Sequence, residues 1–127
     1  ADITRTFIFE DQKLNPKYNE ILEIVEEAAR LGRQAVRPGI KASEIDDICR
    51  SYITSKGYSN FFLHSTGHGL GIDVHEFPYV SKLSDIVLEE GMIITVEPGI
   101  YIEGIGGARI EDDLLVTSDG AKILSRK

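Results

Sequence analysis

The period of apolar positions changes along the chain. Between residues 2 and 9 it is two: Ile3, Arg5, Phe7 and Phe9 fall on one side, Asp2, Thr4, Thr6 and Ile8 on the other. That alternation predicts a strand that begins at Asp2. Tyr18, Ile21, Leu22, Val25, Ala28, Ala29, Gly32, Ala35 and Val36 then recur at spacings of three and four, which predicts an amphipathic helix. Asn15-Pro16 supplies its N-cap and first helical residue, and Arg37-Pro38-Gly39 its stop. Glu20, Glu23, Glu26, Glu27 and Arg30 read as its solvated face. A second helix is expected from Ser43, as N-cap with Asp46 three residues on, to Gly57. Its stripe is Ile45, Ile48, Cys49, Tyr52 and Ile53, so Cys49 reads as a small core residue.

Beyond Gly57 the runs shorten. Phe61-Phe62-Leu63 predicts a short buried strand and residues 76–90 a loop containing Pro78. Met92 to Glu97 predicts a strand that continues past Pro98-Gly99 to Ile102. Gly104 to Gly107 is a turn, Ala108 to Thr117 a further strand, and Asp119-Gly120 a hairpin turn before Ala121 to Leu124. Two helices with several antiparallel strands indicate an α+β domain, its helices on one face of the sheet.

The chain has 127 residues, enough for one domain with a core. A net charge of -7 argues against nucleic-acid and anionic-membrane partners and leaves carboxylates for cations. No apolar run approaches the ~20 residues of a membrane span. A single cysteine excludes an internal disulfide and fits a reducing, cytoplasmic setting. The chain opens without Met, directly on a strand pattern, and is expected to be part of a longer domain.

All three histidines lie within twelve residues, at 64, 68 and 75, among Gly67, Gly69 and Gly71, where backbone can approach a ligand. Glu97 ends a mostly apolar run, where a carboxylate needs a cation, a proton or a donor. Arg109 and Glu111 share a face of the next strand, and pairing of the two strands lets their side chains meet. An imidazole among carboxylates suits a divalent cation such as Mn²⁺, Co²⁺, Zn²⁺ or Fe²⁺. Crowded carboxylates repel unless a cation or proton is shared, which a two-metal site would provide. The plainer readings are an exposed terminal Asp2, a strand-end His64, a surface pair of His75 with Glu76, an Arg109 counterion to Glu111, and packing for Tyr101. A Ser65–His64 nucleophile pair is disfavoured, because nothing marks Ser65 as an elbow.

Five stretches in order resemble the pita-bread metallopeptidases, most closely prolidase and aminopeptidase P. They are Asp2-Ile3-Thr4-Arg5-Thr6-Phe7, Ser65 to Gly71, Asp73-Val74-His75-Glu76, Thr95 to Tyr101 and Gly107 to Asp113. The resemblance covers essentially the whole chain. It implies a partial pita-bread fold, with two helices on a curved, largely antiparallel sheet. Residues 1–127 would be the C-terminal portion of the catalytic domain, incomplete on its N-terminal side. The implied metal ligands are Asp2, His68, Glu97 and Glu111. His64 and His75 would contact substrate and shuttle protons, Arg109 would orient ligands or substrate, and Glu97 would also accept a proton. The implied reaction is hydrolysis of the bond before proline in small Xaa-Pro peptides, by a hydroxide activated between two divalent metals.

One ligand of the family pattern, an aspartate on the strand before Asp2, falls outside this span. The span is therefore expected to hold one metal or none and to have little activity alone. Its expected partners are the missing N-terminal part of the domain and a second copy in a homodimer. The competing reading is a non-catalytic peptide- or protein-binding module on the same fold, which would be marked by ligand loss. Every ligand position within the span is filled.

Overall fold

The computed structural model describes residues 1–8 and 15–126. Helix α1 (Lys17–Ala35) starts where Asn15 Oδ1 accepts the Lys17 N–H at 3.0 Å, and it ends as Val36 turns extended. Helix α2 (Ala42–Ser55) begins one residue before the expected cap. Its N-cap is Lys41, with no side-chain cap bond, and the Ala42 N–H is taken by the Ile86 carbonyl at 2.8 Å. The other end is as expected. Gly57 has φ +88, its N–H bonds Thr54 O, and the Tyr58 N–H bonds Ile53 O, the Schellman pattern.

The strands are β1 (Gly67–Gly69), β2 (Glu76–Val80), β3 (Ile93–Val96), β4 (Gly99–Ile102), β5 (Gly106–Arg109), β6 (Asp112–Val116) and β7 (Ala121–Ile123). A five-stranded sheet runs β2-β1-β3-β6-β7, and β4-β5 forms a separate ribbon. Every named pairing is antiparallel. Both helices pack on these layers around Ile21, Val25, Ala28, Ile45, Ile53, Ile94, Val96, Ile100 and Leu114. Cys49 is part of that core. Its Sγ donates to Ala28 O, and burial pushes its thiol up to about 12.

Four expectations are corrected. Residues 1–8 form no strand beyond a single bridge, Thr4 to Glu111, and Phe9 lies outside the described residues. Ser59–Phe61 is a 3-10 turn; Phe62 is buried and extended, whereas Leu63 is exposed. Residues 76–80 form a strand, because β2 is an edge strand and tolerates Pro78. The two long strands around Glu97 and Glu111 are each broken in the middle, with consequences for the site.

Candidate active site

Paired strands hold up to Val96↔Asp112 and resume at Gly99↔Arg109. Between them lie Glu97-Pro98 and Ile110-Glu111, where Pro98 has no N–H for a ladder. The break frees Glu97 and Glu111 to converge. The Glu97 N–H bonds Thr66 O at 2.6 Å, while Glu111 exchanges both backbone bonds with Thr4. That exchange lays residues 1–8 beside the break. The Asp2 N–H then reaches Asp113 Oδ2 at 3.2 Å, and the Asp2 side chain faces the cleft.

His68 is central in β1, clamped between two neighbouring backbones. A Cβ on Gly67 would lie 1.8 Å from Thr95 O, and one on Gly69 2.3 Å from Phe77 O. These two glycines admit the adjacent strands, and Gly67 also lines the cleft. The His68 N–H bonds Thr95 Oγ1 at 3.1 Å. Its Nδ1 donates to Gly69 O at 2.9 Å, which leaves the lone pair on Nε2. That atom is buried without a hydrogen-bond partner, 3.3 Å from Asp2 Oδ2 and 3.5 Å from Glu97 Oε1. A lone pair facing two carboxylates is repulsive unless a cation or proton lies between them. Ligands ~2.1 Å from one ion sit ~3 Å apart at right angles, so this donor set fits a divalent metal.

Two donor groups share His68: Asp2, His68 and His75, and His68, Glu97 and Glu111, with donor atoms in each group within 4.8 Å of one another. They line a cleft of ≈ 520 Å³ together with His64, Arg109, Val74 and Tyr79. Burial pushes the Glu97 carboxyl up to about 7; Asp2 and Asp113 push the same way, against His68 and Arg109. The imidazole of His75 stands edge-on to His68, with centroids 4.4 Å apart. Glu76 does not pair with it; its Oε2 accepts the Asp73 N–H at 3.3 Å.

His64 points its Nε2 at the Tyr101 hydroxyl, 2.8 Å away, and its Nδ1 at the Ser65 carbonyl, also 2.8 Å. The Ser65 hydroxyl is therefore no partner of this ring. Desolvation holds His64 below the usual imidazole range, with Arg109 and Arg50 pushing the same way. Arg109 is no direct counterion of Glu111. Its Nε donates to Thr4 Oγ1 at 3.1 Å, and that hydroxyl donates to Glu111 Oε1 at 3.4 Å.

The structure thus brings Asp2, His64, His68, His75, Glu97, Arg109 and Glu111 around one cleft. Sequence reasoning missed four supports. Thr4 relays between Arg109 and Glu111. Tyr101, read as packing, reaches His64. Asp46, read as part of a cap, is buried and accepts from the Thr66 N–H and hydroxyl. Arg50 is held by Asp46 and donates to Phe62 O and His64 O, pinning the approach to β1. The one available signal was the four-residue spacing of Asp46 and Arg50, which puts them on one helix face.

Residues 1–118 match the model of metallopeptidase family M24, and the chain belongs to that family. An Xaa-Pro dipeptidase of Pyrococcus furiosus is 48% identical over 126 residues, 99% of this chain and 36% of the relative. The solved prolidase from Pyrococcus furiosus superposes on the whole chain with a TM-score of 0.95 at 48% identity, covering 37% of that structure. An X-Pro aminopeptidase from Thermotoga maritima gives a TM-score of 0.92 at 39% identity, over 100% of this chain and 36% of that one. The chain spans little more than a third of the length of these relatives, and its fold is part of the pita-bread fold they share.

Proposed function

We propose that residues 1–127 are the C-terminal portion of a metallopeptidase catalytic domain that cleaves small peptides before proline. The observation that carries this reading is the buried Nε2 lone pair of His68, without a partner and facing two carboxylates. Asp2, His68, Glu97 and Glu111 would hold the divalent metal, two ions in the complete domain and Mn, Co, Zn or Fe by donor chemistry. When bound, it would polarise the scissile carbonyl and acidify a water. Glu97, held at the edge of the cleft by its N–H bond to Thr66 O, would also accept a proton. His64 and His75 flank the cleft, contact the peptide and move protons. Arg109 orients Glu111 through Thr4. Val74 and Tyr79 give the cleft an apolar wall for a proline ring. The setting is cytoplasmic, and the full-length protein a homodimer.

Titration calorimetry with Mn²⁺ and Co²⁺ tests the centre. The wild type is expected to bind stoichiometrically. His68→Ala should lose more than about 100-fold in affinity, beyond the 10–100-fold typical of outer partners, and His64→Ala should bind within about threefold of wild type. No stoichiometric uptake by the complete domain would favour the non-catalytic peptide-binding module instead. Residues 1–127 alone should cleave Ala-Pro or Gly-Pro only weakly, and robust metal-dependent turnover by this span would refute that expectation.

A further inference from the structure

Tyr101 lies in a trough cut by two glycines. A Cβ on Gly107, its cross-strand partner, would sit 2.7 Å from Tyr101 Cδ1, and a Cβ on Gly99 would sit 2.5 Å from the Tyr101 hydroxyl. Neither glycine is among those with positive φ. Their role is space: the ring folds back along β4 and delivers its hydroxyl to His64 Nε2 at 2.8 Å. The hydrogen bonds fix the direction of that contact. His64 Nδ1 faces the Ser65 carbonyl, which only accepts, so Nδ1 carries the hydrogen and Nε2 the lone pair. The Tyr101 O–H therefore donates. The same oxygen accepts from Arg109 Nη1 at 3.5 Å, and a cationic donor there strengthens the phenol as a donor in turn.

We propose that Tyr101 is a positioning residue: seated between Gly99 and Gly107 and linked to Arg109, it holds His64 in the single Nδ1–H tautomer with Nε2 as acceptor. His64 then meets an arriving peptide as a proton acceptor, and Tyr101 yields Nε2 when a substrate proton reaches it. This catalytic consequence rests on the peptidase reading above; the tautomer does not.

The test is ¹⁵N spectroscopy of the three imidazoles, joined to peptidase kinetics on an Xaa-Pro substrate. Tyr101→Phe keeps the ring in the trough and removes the hydroxyl. Gly107→Ala keeps the hydroxyl and displaces the ring. Wild-type His64 should show the Nδ1–H signature. Both variants should move it toward a tautomer mixture while His68 stays unchanged, and kcat should fall about 10–100-fold with KM within about threefold. Unaltered His64 nitrogen shifts in both variants would overturn the proposal, even if the variants were less stable. A His64 tautomer that shifts in both variants while Xaa-Pro turnover stays at the wild-type level would overturn the catalytic consequence and leave the positioning role standing.

Discussion

Asp112 illustrates what a single buried charge does here. It is fully buried and meets Arg5 at 2.6 Å, Arg126 at 2.9 Å and Arg33 at 3.3 Å, with Ser125 donating at 2.8 Å. Burial raises its carboxyl, yet the bonds from Ser125, Arg126 and Arg5 together outweigh it and hold the group below its ordinary 3.8. A depressed carboxylate contributes stability above its unfolded pKa and loses it as pH falls through the folded one. Asp112→Asn should therefore cost about 2 kcal/mol at pH 7, the scale of hydrogen bonds to a charged group. The gap should narrow only as pH falls from 3.8 toward the lower folded pKa, where the wild-type carboxyl becomes neutral as well; urea unfolding at pH 7 and at a series of pH values below 3.8 measures both. At this scale the sequence was legible for the convergence of seven residues on one cleft, whose types and order carry the family pattern. It was silent on Thr4, Tyr101 and Asp112, because hydroxyls and acids on strands acquire roles only from what the fold sets opposite them.

Among the elements, α2 acts on the site without lining the cleft. Asp46 and Arg50 hold Thr66 and the carbonyls of Phe62 and His64, and Thr66 O in turn holds the Glu97 N–H. Asp46→Ala should destabilise by about 3 kcal/mol, since it leaves the buried Thr66 donors unpaired. It should also weaken Mn²⁺ binding by about 10–100-fold through Glu97. Chemical denaturation and calorimetry on one sample check both; a normal affinity would mean that Thr66 does not orient Glu97. The helices and the β6–β7 hairpin were readable because period and turn residues agree. The breaks at Glu97-Pro98 and Ile110-Glu111 were not, since periodicity cannot separate one bent strand from two. The edge strand β2 was hidden by Pro78, a residue that excludes only central strands.

On the scale of the whole molecule, the edge beside the cleft is apolar. Ile72, Val74, Phe77 and Tyr79 are exposed on the loop before β2 and on β2 itself, whose outer side is unpaired among the described residues. Such an edge invites association. Phe77→Glu should reduce concentration-dependent self-association in sedimentation while changing stability by less than about 0.5 kcal/mol. Unchanged association would place the contact elsewhere. The bridge between Thr4 and Glu111 has a different consequence. Asp2, Thr4 and Arg5 meet Asp113, Glu111, Asp112 and Ser125, contacts that span almost the entire chain. Loop-closure entropy must be met before such contacts form, so they belong to the late part of folding. The cleft is thus assembled after the core has condensed. A cation bound there would slow unfolding while leaving the rate of folding nearly untouched.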